Sequence, residues 1–121
     1  MIYLASPYTH RCPDVVDARR RATVAVLSLM LLSGEVVYSP IAHSHLLTVE
    51  QGLGVDWTTW EAHCLGMLAV ADRVRVLCLP GWESSEGVRA ELAFARELGK
   101  PVSFLRITGG SDAYWVMETG S

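Results

Sequence analysis

LPGWESSEGVRAEL, Leu79 to Leu92, reads as the end of a buried strand, a turn, and the first two turns of a helix. Val74, Val76, Leu77, Cys78 and Leu79 form a short apolar run with β-branched members, closed by Pro80-Gly81. Ser84 or Ser85 can cap the helix, and Glu86 places a negative charge in the first turn, where it suits the dipole. Gly87 inside that turn costs about 1 kcal/mol relative to Ala, so something is expected to come close to the backbone there. The unpaired N–H groups of a helix start make the turn a plausible anion cradle. One turn further in, Glu91 adjoins the core-facing row Val88, Leu92 and Ala95. Phe94 and Ala95 occupy the helix spacings from which a cation could balance it.

Working outward, strands and helices alternate along the whole chain. Ile2 to Ala5 is a short strand, ending in the loop Ser6-Pro7-Tyr8-Thr9. Asp14 is a good N-cap for a helix to about Ser33, with Gly34 as its stop. Glu35 to Tyr38 is a second strand, and Ile41 to Val55 reads as a loop with room for a short helix. Asp56 can cap a helix from about Trp57 to Ala71, leading into the strand Val74 to Leu79. The Ser85 helix runs to Leu98, Gly99 stops it, and Lys100-Pro101 opens a last strand, Val102 to Ile107. The tail from Gly109 reads as loop. This pattern predicts an α/β fold: one doubly wound, flavodoxin- or Rossmann-like parallel sheet with helices on both faces, spanning 1–108, then a C-terminal tail, 109–121. Right-handed crossovers give the strand order 2-1-3-4. Ligands in such sheets bind beyond the strands' carboxyl ends at the switch point. There the Ser6-Pro7-Tyr8 loop meets the Gly81 to Ser85 loop.

Composition narrows the partners. The chain has 121 residues, half of them apolar and only 19% charged, with a net charge of -3. That balance, with Lys100 the single lysine, argues against a nucleic-acid groove or a polybasic membrane surface. Arg19, Arg20 and Arg21 form one cluster and read as a solvated helix face. Three cysteines in no framework fit a reducing cytoplasm. The N-terminus lacks the basic and apolar regions of a signal peptide, and Ala22 to Leu32 is too short for a membrane span. Val24 to Leu32 is apolar nearly all round, so the helix is expected to meet the sheet on one side and a second subunit on another.

The chain resembles the nucleoside 2-deoxyribosyltransferase superfamily, and within it a small branch near the nucleotide N-glycoside hydrolases. The likeness is carried by YLASPYT (Tyr3 to Thr9), by ADRVRVL (Ala71 to Leu77), and by S-x-G-V-x-x-E-L-x-x-A followed by G-K-P (Ser85 to Ala95, Gly99 to Pro101). It implies a nucleoside deoxyribosyltransferase-like domain in which Glu91 attacks the anomeric carbon of a (deoxy)ribosyl group. It also implies that Ser85 and Ser6 hold a 5′-phosphate and that Tyr3 or Tyr8 lines the sugar pocket. The superfamily's usual aspartate falls on Cys64, between His63 and Leu65.

Cleaving an N-glycosidic bond passes through an oxocarbenium-like state, as in O-glycoside hydrolysis. It needs a carboxylate facing the anomeric carbon and a proton donor for the departing base. Glu91 suits the first role. For the acid or sugar contact the candidates are His43, His45, Glu61, His63, Cys64 and Asp72, the last more simply a helix terminator. Trp82 or Trp57 can stack on a base, and Gly87 leaves room for a phosphate. The expected activity is therefore N-glycosidic cleavage of a (deoxy)ribonucleoside 5′-monophosphate, by hydrolysis or by transfer to another base, with no cofactor. The alternative is a non-catalytic nucleotide-binding or sensor module on the same fold. A zinc site from His43, His45, His63, Cys64, His10 and Cys12 matches no known ligand spacing.

Overall fold

In chain order the elements are β1 (Ile2–Ala5), α1 (Pro13–Leu32), β2 (Val37–Tyr38), α2 (Pro40–Gln51), α3 (Trp57–Val70), β3 (Arg73–Leu77), α4 (Glu86–Glu97), β4 (Val102–Thr108) and β5 (Trp115–Gly120). This computed structural model describes the backbone of residues 1–108 and 115–120 and the side chains of 1–107. The sheet order is β2-β1-β3-β4-β5. The first four strands are parallel, in the expected 2-1-3-4 order, with Tyr3 beside both Tyr38 and Val74. The fold is the doubly wound α/β type.

Alternation along the strands assigns each helix its side. Ile2, Leu4 and Leu77 meet Val26 and Met30 of α1 on one face. Tyr3, Ala5, Val74 and Val76 meet Leu68 of α3 and Val88, Leu92 and Ala95 of α4 on the other. The Gly-Lys-Pro element has a local purpose. Lys100 Nζ donates to the carbonyls of Ala69 (2.9 Å) and Ala71 (2.6 Å), satisfying acceptors at the α3 C-terminus.

Three sequence expectations change. The stretch 41–55 is mostly helix, because Ser39-Pro40, which ends β2, also starts α2. The Ser39 hydroxyl accepts from the Ala42 N–H (3.2 Å), Pro40 fills the first turn, and Gly52 closes the helix at φ +70°. Asp14 is not the cap of α1; Pro13 begins the helix after Cys12, leaving Asp14 as a first-turn charge. The tail is not all loop: β5 pairs antiparallel with β4, with Leu105 opposite Glu118, so β4 is not the sheet edge. Only one side of α1 is covered. Val26 and Met30 are buried, while Leu29 is 46% and Leu32 84% exposed. Among the described residues no helix is long and apolar enough to cross a membrane.

Candidate active site

The two loops predicted to meet at the switch point are held together by a residue expected to be solvated. Arg19 is buried on α1, donating through Nη1 to the Thr9 carbonyl and through Nη2 to the Pro80 carbonyl, both at 3.0 Å. Gly81, at φ +85°, has the left-handed backbone that favours glycine, and a Cβ there, 2.6 Å from Arg19 Nη2, would push the guanidinium off its acceptors. Arg19→Met leaves two carbonyls without their charged donor. It should lower unfolding free energy by about 2–3 kcal/mol, measured by urea titration. A loss under about 0.5 kcal/mol, the range of an ordinary surface change, would show that the clamp contributes nothing.

Beneath the cleft lies a carboxylate–phenol pair. Ser85 caps α4, its Oγ accepting from the Val88 N–H (3.3 Å), and this sets Glu91 one turn into the helix. Glu91 is only 4% exposed, and the Tyr3 hydroxyl donates to its Oε2. Burial raises the Glu91 carboxyl and the Tyr3 hydrogen bond partly offsets it, the two together leaving it at about 8. Burial, then the nearby Glu91 charge, drives the Tyr3 phenol far above its ordinary range. Cys64 adjoins the pair, its thiol pushed up to about 11, mainly by burial. Tyr3 is thus the partner of the carboxylate, set behind it in the core.

Above the pair opens a cleft of about 490 Å³. Of the residues singled out in the sequence, Glu91, Ser6, Tyr8, His45, Trp57, Ser85, Gly87 and Cys64 line it. The Ser6 Oγ borders the cleft from a buried position and has no hydrogen-bond partner among the described residues. Gly87 has a different neighbour from the one expected: a Cβ there would lie 3.1 Å from the Trp57 ring, so the missing side chain already serves packing. Asp56 and Glu86 add carboxylates to the lining, which contains no lysine or arginine.

Trp82, His43, His63, Glu61 and Asp72 lie outside this cleft. Trp82 packs on Phe104 at 5.6 Å between ring centroids, outside the cleft. The tryptophans of the lining are Trp57 and Trp60, both from α3. His43 and His63 stack on each other at 5.0 Å, and His63 Nε2 bonds the Tyr38 hydroxyl at 2.8 Å. Neither lines the cleft. Glu61 accepts from the Trp57 indole (3.1 Å), and Asp72 pairs with the amine of Met1. The described residues hold no group of three or more His, Cys, Asp or Glu that could hold a metal ion. His45, from α2, does line the cleft, its Nδ1 2.8 Å from the Tyr8 hydroxyl. Named among the acid candidates from the sequence, it could have been set apart from His43 by the Ser39-Pro40 start and Gly52 stop of α2. Nothing in local spacing marked Arg19.

Fold and site together define a doubly wound α/β domain with a buried glutamate–tyrosine pair under a cleft at the switch point. The family profile that matches residues 1–107 is described as "Domain of unknown function (DUF1937)". The chain belongs to that family. A search of curated proteins returned no match.

Proposed function

We propose that the protein cleaves the N-glycosidic bond of a (deoxy)ribonucleoside 5′-monophosphate, with Glu91 as nucleophile. The observation that carries this reading is the buried Glu91, hydrogen-bonded by Tyr3 and opening onto the cleft. A Glu91 oxygen lone pair forms a bond to C1′ while the C1′–N pair leaves with the base, giving a glycosyl ester. Water or a second base then takes the sugar. Tyr3 donates to the carboxylate form, the form that attacks, and so opposes the effect of burial. The resemblance to the nucleoside 2-deoxyribosyltransferase superfamily supports the same chemistry by analogy. The three cysteines are free, in keeping with a reducing cytoplasm.

Support for the phosphate comes from the unpartnered Ser6 Oγ, from Ser85, and from the first amides of α4. Glu86, in the same turn, weighs against a dianion. The test is chromatography of released base from a panel of nucleosides and their 5′-monophosphates. Monophosphates are expected to be at least about tenfold better in kcat/KM, or about 1.4 kcal/mol of transition-state binding. Equal rates would overturn the phosphate assignment. Tight nucleotide binding with no base released would favour the sensor alternative, to which the Cys64 departure and the raised Glu91 carboxyl lend support.

A further inference from the structure

The N-glycosidic reading leaves one role unfilled, the proton donor to the departing base. The donor has to face the base, on the side of C1′ away from the attacking carboxylate. Cys64 adjoins Tyr3 and Glu91, so it sits with the nucleophile. His43 and His63 are engaged with each other and with Tyr38 outside the lining. Of the four histidines, His45 is the one in the cleft wall. It comes from α2, whereas Glu91 comes from α4.

Resting on that reading, we propose that His45, held by Tyr8, is the general acid that protonates the leaving base. The Tyr8 hydroxyl takes up Nδ1 at 2.8 Å with the rings edge-on at 6.0 Å. Nε2 has no hydrogen-bond partner among the described residues and is available to a ligand. Trp57 and Trp60 share the lining and supply flat apolar surface for a base. Of the charged groups on α1, Asp17 couples electrostatically with His45 and Arg20 with Tyr8. Asp56 and Glu86 are exposed at the cleft mouth.

The step balances. The Nε2 proton of the imidazolium passes to a ring nitrogen of the base as the C1′–N bond breaks and its electron pair goes to that base. A Glu91 oxygen forms the C1′–O bond. The products are a neutral base, a glycosyl ester and a neutral imidazole. In hydrolysis the imidazole then takes a proton from the water that attacks C1′. The ester pair returns to Glu91, and the imidazolium is restored.

The test compares 2′-deoxyguanosine 5′-monophosphate with its 7-methyl derivative, whose base departs neutral without a proton. His45→Gln should lower kcat/KM on the first by roughly 10²-fold or more, within the range for a lost general acid. On the methylated substrate it should stay within about threefold of the unchanged protein, under 1 kcal/mol in barrier. Turnover of that substrate also shows that the variant is folded. Equal loss on both substrates, through misfolding or misplacement, overturns the acid role, as does no loss on either. If the unchanged protein releases base from neither, the purine N-glycosidic reading fails and the His45 role fails with it.

Discussion

Glu91→Gln is expected to bind nucleotide normally and to release base at least about 10³-fold more slowly than the unchanged protein, because an amide oxygen is a poor nucleophile. The substitution keeps the shape of the site, and Tyr3 can still donate to the amide oxygen. Two pH signatures accompany the loss. On the 7-methyl substrate, whose base departs without a general acid, kcat/KM should rise with pH through about 8, the raised value of the free carboxyl, as the attacking carboxylate forms. The second signature is in stability. The Glu91 carboxyl is raised on folding from an ordinary value of 4.5 to about 8. Its contribution is therefore fully present below pH 4.5 and is lost as pH rises through about 8. Glu91→Gln carries no charge to bury, so its melting temperature should pull ahead of the unchanged protein between pH 5 and pH 9. A gap that stays constant across that range would mean Glu91 ionises as freely as a surface carboxylate. Base release at an undiminished rate from the purified variant would remove Glu91 from the chemistry altogether.

Light scattering at micromolar concentration is expected to return at least two chains of 13.3 kDa. On α1, Val24, Leu29, Leu31 and Leu32 are 40–84% exposed, and Val36 just beyond is 70% exposed. Each such side chain gains up to about 1.5–3 kcal/mol if a second copy covers it, and a contiguous apolar patch of this kind favours association. α2 touches α1 yet leaves these residues open, so folding that segment over the helix does not remove the exposed surface. Leu32→Asp is the cleaner probe, and Leu29→Asp a second. Met30 points into the core, so a charge there would unfold the chain rather than split a dimer. A mass of one chain at every concentration would overturn the association. The tail aromatics Tyr114 and Trp115, which the sequence offers as a neighbour's cover for the open cleft, have side chains outside the described residues.

Local signals carried much of the fold. The β-branched run before Pro80-Gly81, the Ser85 cap and the Gly99 stop each act within a few residues, so β3 and α4 could be read from the chain alone. Alternation of such elements then restricts the sheet to very few orders, and the observed 2-1-3-4 core is one of them. The same reasoning brought Ser6, Ser85 and Glu91 to one cleft. It failed where a side chain's partner is remote in sequence. Arg19 looked like one of three solvated arginines, yet its acceptors lie 10 and 61 residues away. Tyr3 reaches Glu91 across 88 residues, and that contact, with burial, sets the charge state of the carboxylate. Trp82 and Trp57 are equivalent as loop-edge aromatics in the sequence; packing sends one onto Phe104 and the other over Gly87. The α2 helix turns His45 into the cleft and His43 onto His63. Sequence alone determined β1 to β4, α1, α3 and α4, their order and the end of the sheet where the cleft lies, because caps, turns and periodicity act over a few residues. Which groups share that cleft, and which of them keep a charge, only the tertiary structure decided, because burial and long-range hydrogen bonds exist only once the helices are packed on the sheet.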